Sequence, residues 1–185
     1  MKQEAEAGRE VELKIRASLT DDSVLVFSPE GIDGLSSRGY GVSENGKLVL
    51  TFCEALFLLS KGIVEIEDEK TGKEVSFQDV LGRFQKVDEN AWLKYLIYRD
   101  LRGRGYVARE GFGLGIDFRV YERGEYGKET AKYLIFGMQE GQPISMEELA
   151  RALKYVQSLK KKLVLAVVNR RGEVVYYSLS QLTLK

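Results

Sequence analysis

From Val11 to Leu19, and again from Ser23 to Phe27, apolar and polar residues alternate with Thr20-Asp21-Asp22 between the runs, a pattern that predicts a β-hairpin. A stretch rich in Gly and Ser, Gly31 to Gly46, reads as a loop, and Asn45-Gly46 is a strong turn signal before a short strand at Lys47 to Leu50. The period then changes. Thr51 and Glu54 have the spacing of a capping box, and Phe52, Ala55, Leu56 and Leu59 form the apolar stripe of a helix that should stop at Gly62. Ile63 to Ile66 returns to strand character. Ser76 with Asp79 opens a second helix with Phe77, Val80, Leu81 and Phe84 on one face. Asp88 can cap a third, in which Leu93, Leu96, Ile97 and Leu101 recur at helical spacing up to Gly103–Gly105.

The second half predicts strands at Tyr106 to Arg109, Ile116 to Tyr121 and Tyr133 to Met138, each rich in β-branched and aromatic residues. Ser145 with Glu148 reads as another capping box, for a helix that turns Met146, Leu149, Leu153 and Val156 to the core. Lys162 to Val168 and Glu173 to Leu179 make a hairpin around Asn169-Arg170-Arg171-Gly172. The expected fold class is α/β in the mixed α+β sense. A small N-terminal α/β domain (1–87) precedes a C-terminal nuclease-like domain (88–185), whose mixed central sheet is flanked by helices and led by a helix at 88–104.

At 185 residues and 44% hydrophobic content the chain can bury a substantial core, which excludes a disordered protein. Lys+Arg and Asp+Glu balance at 28 each, so any nucleic-acid contact must use a local patch rather than overall charge. The single cysteine, Cys53, sits in an apolar helical pattern and is expected to be a buried thiol in a reducing, cytoplasmic setting. No apolar stretch is long enough to span a membrane, so no membrane partner is expected.

The segments Tyr98-Arg99-Asp100-Leu101-Arg102-Gly103-Arg104-Gly105-Tyr106, Asp117-Phe118-Arg119-Val120-Tyr121 and Lys161-Lys162-Leu163-Val164-Leu165-Ala166-Val167-Val168 carry a resemblance. With Leu50-Thr51-Phe52-Cys53-Glu54-Ala55-Leu56, near a family pattern LS-x-x-EALYLL, the chain resembles the archaeal tRNA-splicing endonuclease over nearly its whole length. That resemblance implies metal-independent, cofactor-free removal of introns from precursor tRNA at bulge-helix-bulge sites, with a 2′-hydroxyl attacking phosphorus to leave 2′,3′-cyclic phosphate and 5′-hydroxyl ends. It also implies a tyrosine base, a histidine acid and a lysine that supports the pentacoordinate phosphorus. Tyr121 matches the tyrosine and Lys161 the lysine.

The histidine is absent, because the chain contains none. Where active members begin a segment like H-[AS]-x-Y-L-[IV], this sequence reads Thr130-Ala131-Lys132-Tyr133-Leu134-Ile135, which puts Thr130 at the acid's position. A threonine hydroxyl does not donate a proton near neutrality, and a shifted Lys162 would be a poor acid. Gly113 stands where the family usually has a lysine, and Lys154 where it tends to carry a base-stacking, RNA-binding arginine. The expectation is a structural subunit in an α₂β₂ heterotetramer with a catalytic, histidine-bearing subunit, and Tyr121 and Lys161 as vestigial positions.

For assembly, the resemblance implies that the last strand, with Tyr177 and Leu179, pairs across a subunit interface. It implies too that the loop bearing Arg170, Arg171 and Glu173 enters a cleft on an opposing subunit. Other readings are a catalytic subunit whose histidine has been substituted, a plain RNA-binding module, and a metal-dependent nuclease using Asp117 and Lys161. Taken singly, a strand-end tyrosine is more often filler and a lysine run more often a solvated face; it is their order along the chain that carries weight.

Overall fold

The computed structural model describes residues 14–181. Strands β1 (Ile15–Leu19) and β2 (Val24–Val26) form the expected hairpin, with Ala17 opposite Val26 and Leu19 opposite Val24. Thr20 closes it: its Oγ1 accepts the Ser23 N–H at 3.1 Å. The expected start of this strand at Val11 lies outside the described residues.

The stretch expected to be a loop, Gly31 to Gly46, instead holds most of helix α1 (Pro29–Ser36) and strand β3 (Val42–Glu44). Pro29 suits the first turn, where its missing N–H would be unpaired anyway. Gly31 is there for contact rather than flexibility, since a Cβ would fall 2.8 Å from Ile15 Cγ2 and 2.5 Å from Ser28 Oγ. Asn45 and Gly46, both at positive φ (49° and 78°), make the tight turn from β3 into β4 (Lys47–Leu50).

Helix α2 (Phe52–Ser60) has the full capping box: Thr51 Oγ1 accepts the Glu54 N–H at 3.4 Å and Glu54 Oε2 accepts the Thr51 N–H at 2.9 Å. Strand β5 (Val64–Asp68) lies parallel to β1 and completes a five-stranded sheet ordered β3-β4-β2-β1-β5. Helix α3 (Phe77–Val87) opens with the Ser76–Asp79 box. Asp88 does not cap helix α4 (Ala91–Gly103) as expected. It ends α3, and its carboxylate accepts the Asn90 N–H at 2.8 Å and Lys94 Nζ at 2.6 Å, so α4 starts after Asn90.

The second sheet is ordered β10-β9-β8-β7-β6, from β6 (Val107–Gly113), β7 (Ile116–Tyr121), β8 (Tyr133–Gln139), β9 (Lys162–Val168) and β10 (Val174–Leu179). Its pairs are antiparallel except β8 with β9, which are joined through helix α5 (Met146–Ser158). Two expectations about α5 need correction. Ser145 Oγ accepts the Glu148 N–H at 3.5 Å without the reciprocal bond, and Met146 is 75% exposed because the packed stripe begins a turn later, at Leu149, Ala152, Leu153 and Val156. The mixed α+β class and the two-sheet architecture are as the pattern indicated.

One apolar cluster runs through both sheets, with Ile97, Tyr98 and Leu101 of α4 at its centre, and a smaller one lies under α5. Cys53 is buried in the larger cluster, as expected. A charged pair sits at the seam. Glu54 is 2% exposed, and Arg109 of β6 donates to its Oε1 at 2.9 Å and to the carbonyls of Gly39 and Gly41 at 3.1 and 2.7 Å. Burial pushes the Glu54 carboxyl up from its ordinary 4.5, and Arg109 opposes that shift. Arg109→Ala should cost about 3–5 kcal/mol at pH 7, since it strands a buried carboxylate. A raised folded-state value means that stability is present below 4.5 and lost as pH rises through the folded value, so the variant should recover part of its loss on acidification. Urea unfolding at pH 7 and pH 5 measures both effects.

Candidate active site

Sheet topology decides which residues can meet. Strand β7 ends at Tyr121, where its antiparallel neighbour β8 begins, and β9 begins at the same end because it runs parallel to β8. The Lys132 N–H donates to the Val120 carbonyl and the Lys162 N–H to the Lys132 carbonyl, both at 3.0 Å, so three chain segments are stitched together there. Tyr121, Thr130 and Lys161 thus come to one edge of the sheet.

Thr130 and Lys161 touch: Lys161 Nζ donates to Thr130 Oγ1. Lys161 is aimed by the exit of α5. Lys160 adopts φ 56°, and the N–H groups of Lys160 and Lys161 return to the carbonyls of Gln157 and Val156 at 2.9 and 3.1 Å, a Schellman-type stop with lysine where glycine is usual. Tyr121 is half-buried, and its ring packs edge-on against Tyr126 at 5.0 Å.

The cleft at this edge encloses about 330 Å³ and is lined by Glu122, Glu125, Glu129, Thr130, Lys132, Lys160 and Lys161, without Tyr121. Sequence reasoning missed its carboxylates. Glu122 Oε1 accepts from Lys132 Nζ and, at 3.1 Å, from the Tyr133 hydroxyl. The hydrogen bond from Lys132 holds the Glu122 carboxyl below its usual range, and the same bond raises Lys132. Burial, then the bond to Glu122, raises the Tyr133 phenol. The one sequence signal was the alternation of acids and lysines from Glu122 to Lys132, which reads equally well as a solvated surface. As a chemical arrangement, the cleft offers ammonium groups for an anion and a hydroxyl that accepts a hydrogen bond, with no imidazole.

The other candidates do not line this cleft. Lys154 is exposed on α5, and Gly113 (φ 89°) is at the open tip of the β6–β7 hairpin. Lys162 sits in the ladder opposite Tyr133. Arg170 and Arg171 are exposed on a turn held by Asn169, whose Oδ1 accepts the N–H groups of Arg171 and Glu173 at 2.9 and 3.0 Å. Glu173 closes that turn by accepting from Asn169 Nδ2 at 2.7 Å. Tyr177 is 55% exposed on the edge strand β10, and Leu179 is half-buried against the α5 cluster.

Asp117 and Lys161 do not assemble as a metal-nuclease pair would require. Asp117 accepts the Gly137 N–H at 2.8 Å and sits 3.4 Å from Lys94, whereas Lys161 precedes the partner of Tyr133, four residues or roughly 13 Å back along β8. Asp117, Asp88 and Lys94 instead line a cavity of about 630 Å³ between the β3–β4–α2 region and the β6–β7 hairpin.

The model of the tRNA intron endonuclease N-terminal domain matches residues 15–81, and that of the tRNA intron endonuclease catalytic C-terminal domain matches residues 91–176. A tRNA-splicing endonuclease of Methanococcus maripaludis is 35% identical over 170 residues, covering 92% of this chain and 96% of that relative. The chain belongs to the tRNA intron endonuclease family. The Pyrococcus furiosus tRNA-splicing endonuclease is 36% identical over 160 residues, 86% of this chain and 91% of that one. A longer family member, from Methanococcoides burtonii, is 34% identical over 173 residues that make up 48% of its length. Within this family member the strained Lys160 is open to test: Lys160→Gly should stabilise the fold by about 1 kcal/mol, raising Tm by about 2–4 °C in a thermal melt.

Proposed function

We propose that this chain is a structural subunit of a tRNA-splicing endonuclease, taking part in intron removal from precursor tRNA while a histidine-bearing partner in an α₂β₂ assembly supplies the general acid. The observation that carries the reading is Thr130 bonded to Lys161 in a chain with no histidine. Cleavage by 2′-hydroxyl attack requires a proton for the departing 5′-oxygen. Here the lysine could still offset charge on the phosphorus oxygens, but the hydroxyl beside it is engaged as an acceptor, and no side chain lining the cleft is an imidazole. Tyr121, packed on Tyr126, would have to turn toward the cleft to act as a base.

The rest of the reading follows from the family resemblance: bulge-helix-bulge cleavage sites, cyclic phosphate and 5′-hydroxyl ends, and a cytoplasmic setting. No helix among the described residues is long and apolar enough to cross a membrane. The purified chain should leave precursor tRNA intact in EDTA, and adding a histidine-bearing homologue should restore cleavage. Thr130→His should raise any residual rate of the chain by about 10²–10⁴, the usual worth of general-acid assistance. EDTA-resistant cleavage by the unaltered chain at the rate of the mixture sinks the structural-subunit reading.

Assembly through β10 and the Asn169–Glu173 turn belongs to the same proposal. Edge strand β10 leaves Val175 and Tyr177 exposed, an unpaired β-surface that would otherwise invite aggregation. Charged residues at Tyr177 and Leu179 should split the complex in light scattering. Arg170→Ala with Arg171→Ala should weaken tetramer formation or RNA affinity in a salt-dependent way, and unchanged behaviour in both assays would leave the turn merely solvated.

A further inference from the structure

We propose that an arginine–tyrosine surface, where the ends of α1 and α4 meet the start of β6, holds the phosphate backbone of the RNA outside the cleavage cleft; this deepens the RNA-processing reading and rests on it. Two of its arginines lie against tyrosine rings. The chain has as many acids as bases, yet among the described residues none of Arg38, Arg102 and Arg123 has a carboxylate oxygen within 4.0 Å. The Arg102 guanidinium lies 3.8 Å from the centre of the buried Tyr40 ring, and that of Arg123 lies 5.1 Å from the Tyr106 ring. Two of them make one backbone bond each, Arg102 to the Arg38 carbonyl at 3.0 Å and Arg38 Nε to the Gly34 carbonyl at 2.7 Å, which leaves the other N–H groups of each guanidinium open.

Two acids of this region are committed elsewhere: Asp100 is held by Arg104 at 2.7 Å and by the Tyr176 hydroxyl at 2.8 Å, and Glu122 by Lys132 and Tyr133. A guanidinium laid on a ring is pre-oriented, keeps outward N–H groups for a planar, two-oxygen acceptor, and needs less ordering on binding than a free lysine. Most protein contacts to a nucleic acid go to its backbone, and A-form RNA presents phosphates and 2′-hydroxyls as its readable surface.

The surface is continuous with the site. A Cβ on Gly39, the residue after Arg38, would stand 3.2 Å from the Tyr126 ring, and Tyr126 is the ring against which Tyr121 packs. On the other side, a Cβ on Gly105 would come within 3.8 Å of Arg123 Nε, which joins the end of α4 to the Tyr121–Tyr126 region. An RNA strand leaving the cleft past Tyr121 therefore runs onto these guanidinium groups.

The test is fluorescence anisotropy of a labelled precursor tRNA with the full chain over a KCl series. Arg38→Ala with Arg123→Ala should weaken binding about tenfold near 0.1 M salt and reduce the log–log salt slope by about 1.5–2, as expected for two lost phosphate contacts. Arg102→Lys, which keeps charge but loses the planar stack, should weaken binding less. Lys73→Ala with Lys86→Ala removes equal charge elsewhere and should change neither quantity. If the alanine pair melts early, Arg38→Gln with Arg123→Gln is read in its place. Unchanged affinity and slope in a folded double variant overturns this surface and leaves the RNA-processing reading standing. An unaltered chain that fails to bind RNA at low salt overturns both. Retained RNA affinity with lost association to the histidine-bearing subunit identifies an acidic protein surface as the ligand instead, and overturns the proposal.

Discussion

The buried Glu54–Arg109 pair is the constraint on which the arrangement of the molecule depends. One carboxylate caps helix α2 through Thr51, receives the Gly41 N–H at 3.1 Å and pairs with an arginine from the second sheet. Arg109 in turn satisfies the carbonyls on both sides of Tyr40. An ion pair this deep gains little over apolar residues of the same volume, and its value lies in being intolerant of alternatives. Any shift of the first sheet against the second would leave the Glu54 charge and two backbone carbonyls without their arginine partner within a shared apolar core. The pair fixes the Gly39–Gly41 bend, and with it the position of Arg38, Tyr40 and Tyr126 around the end of β7.

What that fixed frame presents to solvent is decided by one topological choice. A single parallel pair in an otherwise antiparallel sheet makes β8 and β9 start at the same edge, and the crossover helix α5 must deliver the chain there. The delivery is strained, since a lysine occupies the left-handed position that ends the helix. The strain aims Lys161 at Thr130 rather than into solvent. A site assembled in this way tolerates a changed side chain without a changed backbone, because its geometry comes from strand ends and a helix stop rather than from the reacting groups themselves.

Much of this was legible in the sequence wherever a local rule has one structural meaning. The Thr51–Glu54 and Ser76–Asp79 boxes, the Asn45-Gly46 turn, and the limits of β4 and β7 follow from short-range hydrogen bonding and period. Helix α1 was hidden because Gly31 reads as a loop signal, whereas its role is close approach to Ile15. Asp88 carries a cap's chemistry but spends it on Asn90 and Lys94, a choice made by the neighbouring helix. Met146 fits the apolar period and is still exposed, since period reports a face and not the extent of the surface that covers it. At the site, the order of Tyr121, Thr130 and Lys161 could be read, but the ring contact of Tyr121 with Tyr126 and the carboxylates lining the cleft could not. Both are long-range results of packing.

Charge balance over the whole chain conceals a local separation, and the separation has a physical origin. Acids are drawn to helix starts, to the Glu54 seam and to the Glu122–Lys132 pair, where hydrogen-bond donors hold their carboxylates. Arginine is less strongly hydrated than lysine and is stabilised over aromatic rings, here the buried Tyr40 and the half-buried Tyr106. A neutral protein thereby gains a positive face without a net charge to keep its copies apart. On the proposed face, affinity for a polyanion would come from a few pre-oriented guanidinium groups rather than from a long-range field. Binding of the proposed kind would discriminate by the spacing of phosphates, and so by the shape of a folded RNA.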